Sequence, residues 1–148
     1  MMQMPKLIFF LPCEKAIINQ DDNALSLINV MQGINVPKPP TEDAGVALLW
    51  CAVSLWQKTP DDKDRTFEQR TTLSMPNGKE AAESLLKFSF SEKGNHRNIV
   101  KISGFPVGQS GTYTLNLFLR ELGSEQWTEV ANYQIVVTHI EGALKNEK

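Results

Sequence analysis

The stretch Ser110–Arg120, SGTYTLNLFLR, decides the reading of this chain. Tyr113, Leu115, Leu117 and Leu119 alternate with Thr114, Asn116, Phe118 and Arg120. A period of two puts successive side chains on opposite faces of a strand. Further on, Tyr133, Ile135 and Val137 share one face of a returning strand, so the two segments make a hairpin with one buried side. Gly108-Gln-Ser-Gly111 supplies a turn just ahead of it. A Tyr at the start of a late strand fits the tyrosine corner, in which the hydroxyl bonds back to backbone upstream.

The same alternation extends outward from this hairpin. Val46–Trp56 is apolar on both faces, which predicts a central strand with Trp50 and Trp56 in the core. Leu7–Ile18 reads as the first strand, with Pro12 marking a bulge or an edge because proline donates no ladder hydrogen bond. Asn19–Asn23 is a turn, and Leu25–Val36 reads as one returning strand. Val36-Pro-Lys-Pro-Pro40 cannot pair in a sheet and reads as a rigid connection, although its PxxP spacing also suits polyproline II. Thr59–Asp64 predicts an exposed acidic turn, Thr66–Met75 a surface strand, and Pro76-Asn-Gly78 a tight turn. Lys79–Phe90 reads as a strand near Leu85–Phe90 with a helical turn before it, and Asn98–Val107 as the next strand. The tail 141–148 is polar and reads as frayed.

Together these segments predict an all-β fold, an antiparallel β-sandwich of seven or eight strands with immunoglobulin-like or C2-like topology. The expectation is one domain over residues 1–148 with an ordered core from about 6 to 140. Apolar residues make up 41% and charged residues 22%, the balance of a globular chain. Fifteen Lys and Arg against 17 Asp and Glu leave a net charge of −2, and no basic cluster breaks that neutrality. Nucleic acid is therefore not expected as a partner. No run reaches the length of a membrane helix, so no membrane is expected either.

Cys13 and Cys51 are the only cysteines, each within an apolar segment, which points to reduced thiols in a cytoplasmic protein. Lys6 followed by LIFFLP and Cys13 has the outline of a lipoprotein signal, but the apolar run is too short and Pro12 stands where a small residue belongs.

The pairing of LPCEKAIINQDDNALSLINVMQGINV with ISGFPVGQSGTYTLNLFL resembles a family of small bacterial β-sandwich proteins without an assigned role. The likeness runs from about Leu7 to Val137, through a Leu-Ser-Leu-Ile strand near the N-terminus and a Gly-x-Tyr hairpin near the C-terminus. The chain departs from that pattern at Asp22-Asn23, where Gly-Lys is usual, and at Asn29, where Gly is usual. The resemblance implies a β-sandwich and carries over no catalytic residues.

Chemistry is sparse. His96 sits in a turn and His139 ends the last strand, neither with a cysteine or histidine at metal-ligand spacing. Gly108-Gln-Ser110-Gly111 lacks the strand-to-helix setting of a nucleophile elbow. No catalytic, cofactor-binding or metal residue is assigned, and no cofactor is expected. The leading expectation is a non-catalytic module that binds a protein partner through loops or an edge strand.

Two alternatives remain. Asp21 and Asp22 in one turn, with Asp61, Asp62 and Asp64 in another, would suit calcium or a small ligand if the turns converge. An enzyme site assembled from loop residues is the other. Phe118, on the face opposite Tyr113 and Leu115, is expected to lie exposed and offers a homodimer surface, and Trp127 is expected to be partly exposed.

Overall fold

Nine strands in two sheets, without α-helices, make up the computed structural model, which describes residues 3–92 and 94–140. The strands are β1 (Lys6–Ile18), β2 (Leu25–Val30), β3 (Gly33–Pro37), β4 (Gly45–Gln57), β5 (Phe67–Ser74), β6 (Glu80–Phe88), β7 (His96–Pro106), β8 (Gly111–Glu121) and β9 (Thr128–Ile140). One sheet has the order β2-β1-β4-β7 and the other β3-β9-β8-β5-β6. The five-stranded sheet is mixed, because β3 runs parallel to β9, and it curls as a half-barrel.

The all-β expectation is met, but the strand count is nine and the pairing is not wholly antiparallel. Both departures have one origin. Leu25–Val36 breaks at Met31-Gln32 into two short strands that belong to different sheets. Met31 drops into the core while its N–H bonds the Pro12 carbonyl, and the Gln32 carbonyl accepts from Val136 N on the opposite sheet. The crossover therefore closes one side of the sandwich.

The main core is filled from the inward face of every central strand: Trp50, Ala52 and Trp56 of β4, Phe67 and Leu73 of β5, Tyr113 to Leu119 of β8, and Ile135 and Val137 of β9. Trp50 and Trp56 are core residues, as their spacing predicts. A polar network crosses this interior. Gln69 Oε1 accepts from Ser54 Oγ at 2.7 Å, Trp56 Nε1 at 2.9 Å and Asn98 Nδ2 at 2.9 Å. One amide thus satisfies three buried donors from the facing sheet, and removing it would leave Trp56 Nε1 only its longer contact to Ser54 Oγ at 3.2 Å.

Four other expectations change. Pro12 lies in an internal strand between β2 and β4, and the register shift falls at Leu7/Phe9 instead. Because the Pro12 carbonyl bonds Met31, its missing N–H would face the same side, where β2 has already ended at Val30, so the ladder loses nothing. Thr66–Met75 is no surface strand: β5 is sandwiched between β8 and β6 and is buried on both faces. Its outward Glu68 is covered by Arg120 at 2.8 Å, and its outward Thr72 accepts from Asn116. β6 begins at Glu80 with no helical turn before it.

The acidic turn after β4 is likewise not solvated throughout. Pro60–Asp62 is a short 3-10 turn whose Asp62 is buried, takes Thr59 N at 2.7 Å and pairs with Arg65. The tail 141–148 lies outside the described residues.

Candidate functional site

The first strand pair does not stay in its sheet. β1 pairs with β4 through Cys13↔Cys51, then with β2 from Cys13↔Val30 to Ile18↔Leu25. Continued flat, the β1–β2 hairpin would run alongside β4 towards Val46. Its turn instead meets the far end of β7: Arg97, which lies opposite Leu55, donates to Asn23 O at 2.9 Å and to Asn23 Oδ1 at 2.5 Å. The hairpin therefore doubles back across the outer face of the four-stranded sheet.

Two residues with positive φ mark the path. Asn29 (φ 57°) sits within β2 and donates to Glu14 Oε2 at 2.8 Å, and Asn23 (φ 61°) shapes the turn. Asparagine enters this left-handed region more readily than most residues. The fold-back seals a second apolar cluster of Cys13, Cys51 and Val53 beneath Phe9, Ala16, Leu25, Leu27 and Ile99. Neither sheet alone would bury these residues, because Cys51 and Val53 point away from the main core.

Between hairpin and sheet lies a cleft of about 700 Å³. Phe9, Leu25, Leu27 and Leu55 make its apolar floor. Asn23, Asn95, His96 and Arg97 make its polar rim. The volume is within the range of ligand-sized pockets, and convergent polar groups over an apolar floor are the usual makeup of a binding cleft. His96 is held in place: it stacks on Phe88 with centroids 5.0 Å apart, and its Nε2 lies 2.7 Å from Asn98 Oδ1. Because Asn98 Nδ2 donates to Gln69, its Oδ1 must accept, so His96 Nε2 carries the proton. The His96 ring thus belongs to the core network on the inner side of β7, while Arg97 next to it faces the hairpin.

Large exposed apolar side chains gather on the same element. Ile8, Ile17, Ile18, Ile28 and Val30 all lie on β1 or β2, which is half of the ten such residues among the described part of the chain. Ile17 and Ile28 share one side of the hairpin, the side opposite Ala16 and Leu27, so part of this set faces outward together.

At the other end of the molecule the corner behaves as the sequence predicts. Tyr113 is fully buried and its hydroxyl donates to Gln109 O at 2.8 Å. Burial pushes the phenol's ionisation above its ordinary range, more than the Gln109 contact lowers it, so the hydroxyl remains a donor. Beside it, a cavity of about 570 Å³ brings Ser110, His139 and Glu42 to one wall. His139 Nε2 donates to Val107 O at 2.7 Å, and nothing links Ser110 to that ring, so the three do not form a nucleophile–base pair.

The acidic turns are not assembled into a cation site. Among the described residues, no group of three or more His, Cys, Asp and Glu is placed to hold a metal ion. Asp22 Oδ1 accepts from Ala24 N, Asp61 Oδ2 from Gln3 N, and Asp62 serves Thr59 N and Arg65. Phe118 does lie opposite Tyr113, yet it is only half-exposed, with the Arg70 guanidinium 5.4 Å from its ring centre. Trp127 is partly exposed under Arg120, at 4.1 Å.

No helix among the described residues is long and apolar enough to cross a membrane. No protein-family model matches the chain, and no curated protein sequence matches it. The cleft was missed in the sequence because Phe9, Leu27 and Leu55 are ordinary strand residues there, and only the fold-back brings them together. Asn29, standing within an otherwise regular strand, is the one local sign of the bend.

Proposed function

We propose that this chain is a non-catalytic protein-interaction module, immunoglobulin-like in topology, that acts in a bacterial cytoplasm through its β1–β2 hairpin. The observation that carries the reading is the concentration of exposed apolar side chains on that hairpin, next to a cleft with an apolar floor and a polar rim. Contiguous exposed apolar surface rimmed by polar groups marks a docking face. A small ligand would use the cleft alone and leave Ile17 and Ile28, on the opposite face of the hairpin, in water. A partner protein that grips the hairpin covers both faces, seating an apolar side chain over Leu27 and Leu55 while another part of it lies on Ile17 and Ile28. The tyrosine corner at Tyr113 supports the immunoglobulin-like topology, and the two unpaired thiols support a reducing compartment.

The test is an affinity pull-down from lysate of the source organism with the wild type and the double variant Ile17→Glu/Ile28→Glu. Both residues are exposed, so the variant should keep its melting temperature. A stoichiometric partner held by the wild type and lost by the variant is the expected result. A partner held equally by both overturns the hairpin as the docking face. No partner at all overturns the module itself and turns attention to a metabolite and calcium thermal-shift screen.

A further inference from the structure

Cys13 and Cys51 stand directly opposite one another on the antiparallel strands β1 and β4. Facing residues of such a pair have Cα atoms about 4.5–5.5 Å apart and side chains on the same side, and a disulfide needs roughly 4.4–6.8 Å. Both are free thiols in the structure, 0% and 7% exposed, and they share one apolar cluster. Their place in the chain is distinctive. Cys13 is the last β1 residue paired with β4 and the first paired with β2, so the two sulfurs sit at the pivot of the folded-back hairpin.

The pair has a route to solvent. Cys51 lines a cleft of about 370 Å³ together with Lys15 and Lys101, and Lys101 is its cross-strand neighbour on β7. The two lysines give that cleft a positive lining that attracts anionic reagents.

We propose that Cys13 and Cys51 are a redox-active dithiol that closes reversibly to a cross-strand disulfide by exchange with a small anionic disulfide such as oxidised glutathione. Cys51, which borders the cleft, gives up its proton and attacks one sulfur of the reagent. This forms a mixed disulfide and expels one thiolate. Cys13 then gives up its proton and attacks the Cys51 sulfur, forming the Cys13–Cys51 bond and expelling the second thiolate. The two protons end on the two released thiols, and two electrons pass from the protein to the reagent. Burial, reinforced by the neighbouring Cys51, raises the Cys13 thiol above its ordinary value, which suits it to the second step rather than the first. The bond would pin the hairpin's root to β4. It does not depend on what the hairpin binds.

The experiment uses the folded full chain, incubated with oxidised or reduced glutathione and read by intact mass, thiol titration after denaturation, and thermal unfolding. The oxidised chain is expected to lose two hydrogens and both titratable thiols while remaining a monomer. Its melting temperature should rise by roughly 5–10 °C, and reduction should reverse the change. Cys13→Ser should stop at one glutathione on Cys51, whereas Cys51→Ser should take up glutathione far more slowly. Persistent thiols in the folded wild type, a stable glutathione adduct in place of the internal bond, or disulfide-linked dimers would each overturn the proposal. Equal reactivity of the two variants overturns the assigned order of attack.

Discussion

Two hairpins of the molecule have opposite fates. The β8–β9 hairpin stays in its sheet, and the buried row from Tyr113 to Leu119 covers one continuous core. The β1–β2 hairpin leaves its sheet at Cys13, turns over, and builds a second small core against the outside of β4 and β7. The first is a product of local alternation, a one-residue slip of which would put every apolar side chain into water. The second depends on long-range contacts such as Arg97 with Asn23, and β1–β2 is the part of the surface that keeps the most exposed apolar side chains. A hairpin with fewer buried contacts is the one more easily spared for binding.

Four measurements test this contrast. The largest effect is expected at Gly108, next to the corner. A Cβ there would lie 2.0 Å from the Glu42 carbonyl oxygen, and Gly108 N bonds Ala44 O, so backbone must move. Gly108→Val should cost about 3 kcal/mol or more in chemical unfolding, and a loss within 1 kcal/mol would show that the corner is not rigid. Next comes Tyr113→Phe. It removes the bond to Gln109 O from a fully buried site and should cost about 1–2 kcal/mol with the fold unchanged.

Arg97→Ala cuts the tie at the tip of the other hairpin. The contact is exposed, so global stability should fall by under about 1 kcal/mol. Amide exchange in residues 19–27 should nevertheless speed up while that in β8 and β9 does not. Uniform exchange across both hairpins would erase the proposed difference between them.

The smallest effect is one of pH at the far end of β8. A hydrogen bond from Arg65 at 2.8 Å, aided by the guanidinium charge, holds the Glu121 carboxyl below its ordinary 4.5 against a smaller opposing effect of burial. A depressed carboxyl stabilises the fold above its unfolded value and loses that contribution as pH falls through the lowered one. The Glu121 side chain is 41% exposed, so solvent screens most of the effect. Wild type should therefore melt slightly above Glu121→Gln at neutral pH, with the gap closing below about pH 4.5. A constant gap would remove the ion pair as its cause.

Much of the architecture was legible in single segments. The alternation in β8, β9 and β7, the two-faced apolar β4, the Asn77-Gly78 turn and the tyrosine corner each follow from short-range pattern, because a half-buried strand imposes a period of two. β5 was misread for a definable reason. Its outward Glu68 and Thr72 have the composition of a surface strand, and only Arg120 and Asn116 from the neighbouring β8 bury them. The candidate site was the least legible part, since Phe9, Leu27, Leu55 and Arg97 come from four different strands.

What the sequence by itself determined is the all-β class, most strand positions, the main hairpin and the corner that anchors it, all set by contacts within a few residues or one face of a strand. Tertiary structure alone decided that Leu25–Val36 splits between two sheets, that β3 runs parallel to β9, that the β1–β4 register sets Cys13 against Cys51, and that the first hairpin folds back beyond that point. Those outcomes turn on which distant surfaces can be buried together. Burial depends on area shared between strands far apart in the chain, and no local periodicity encodes that partner.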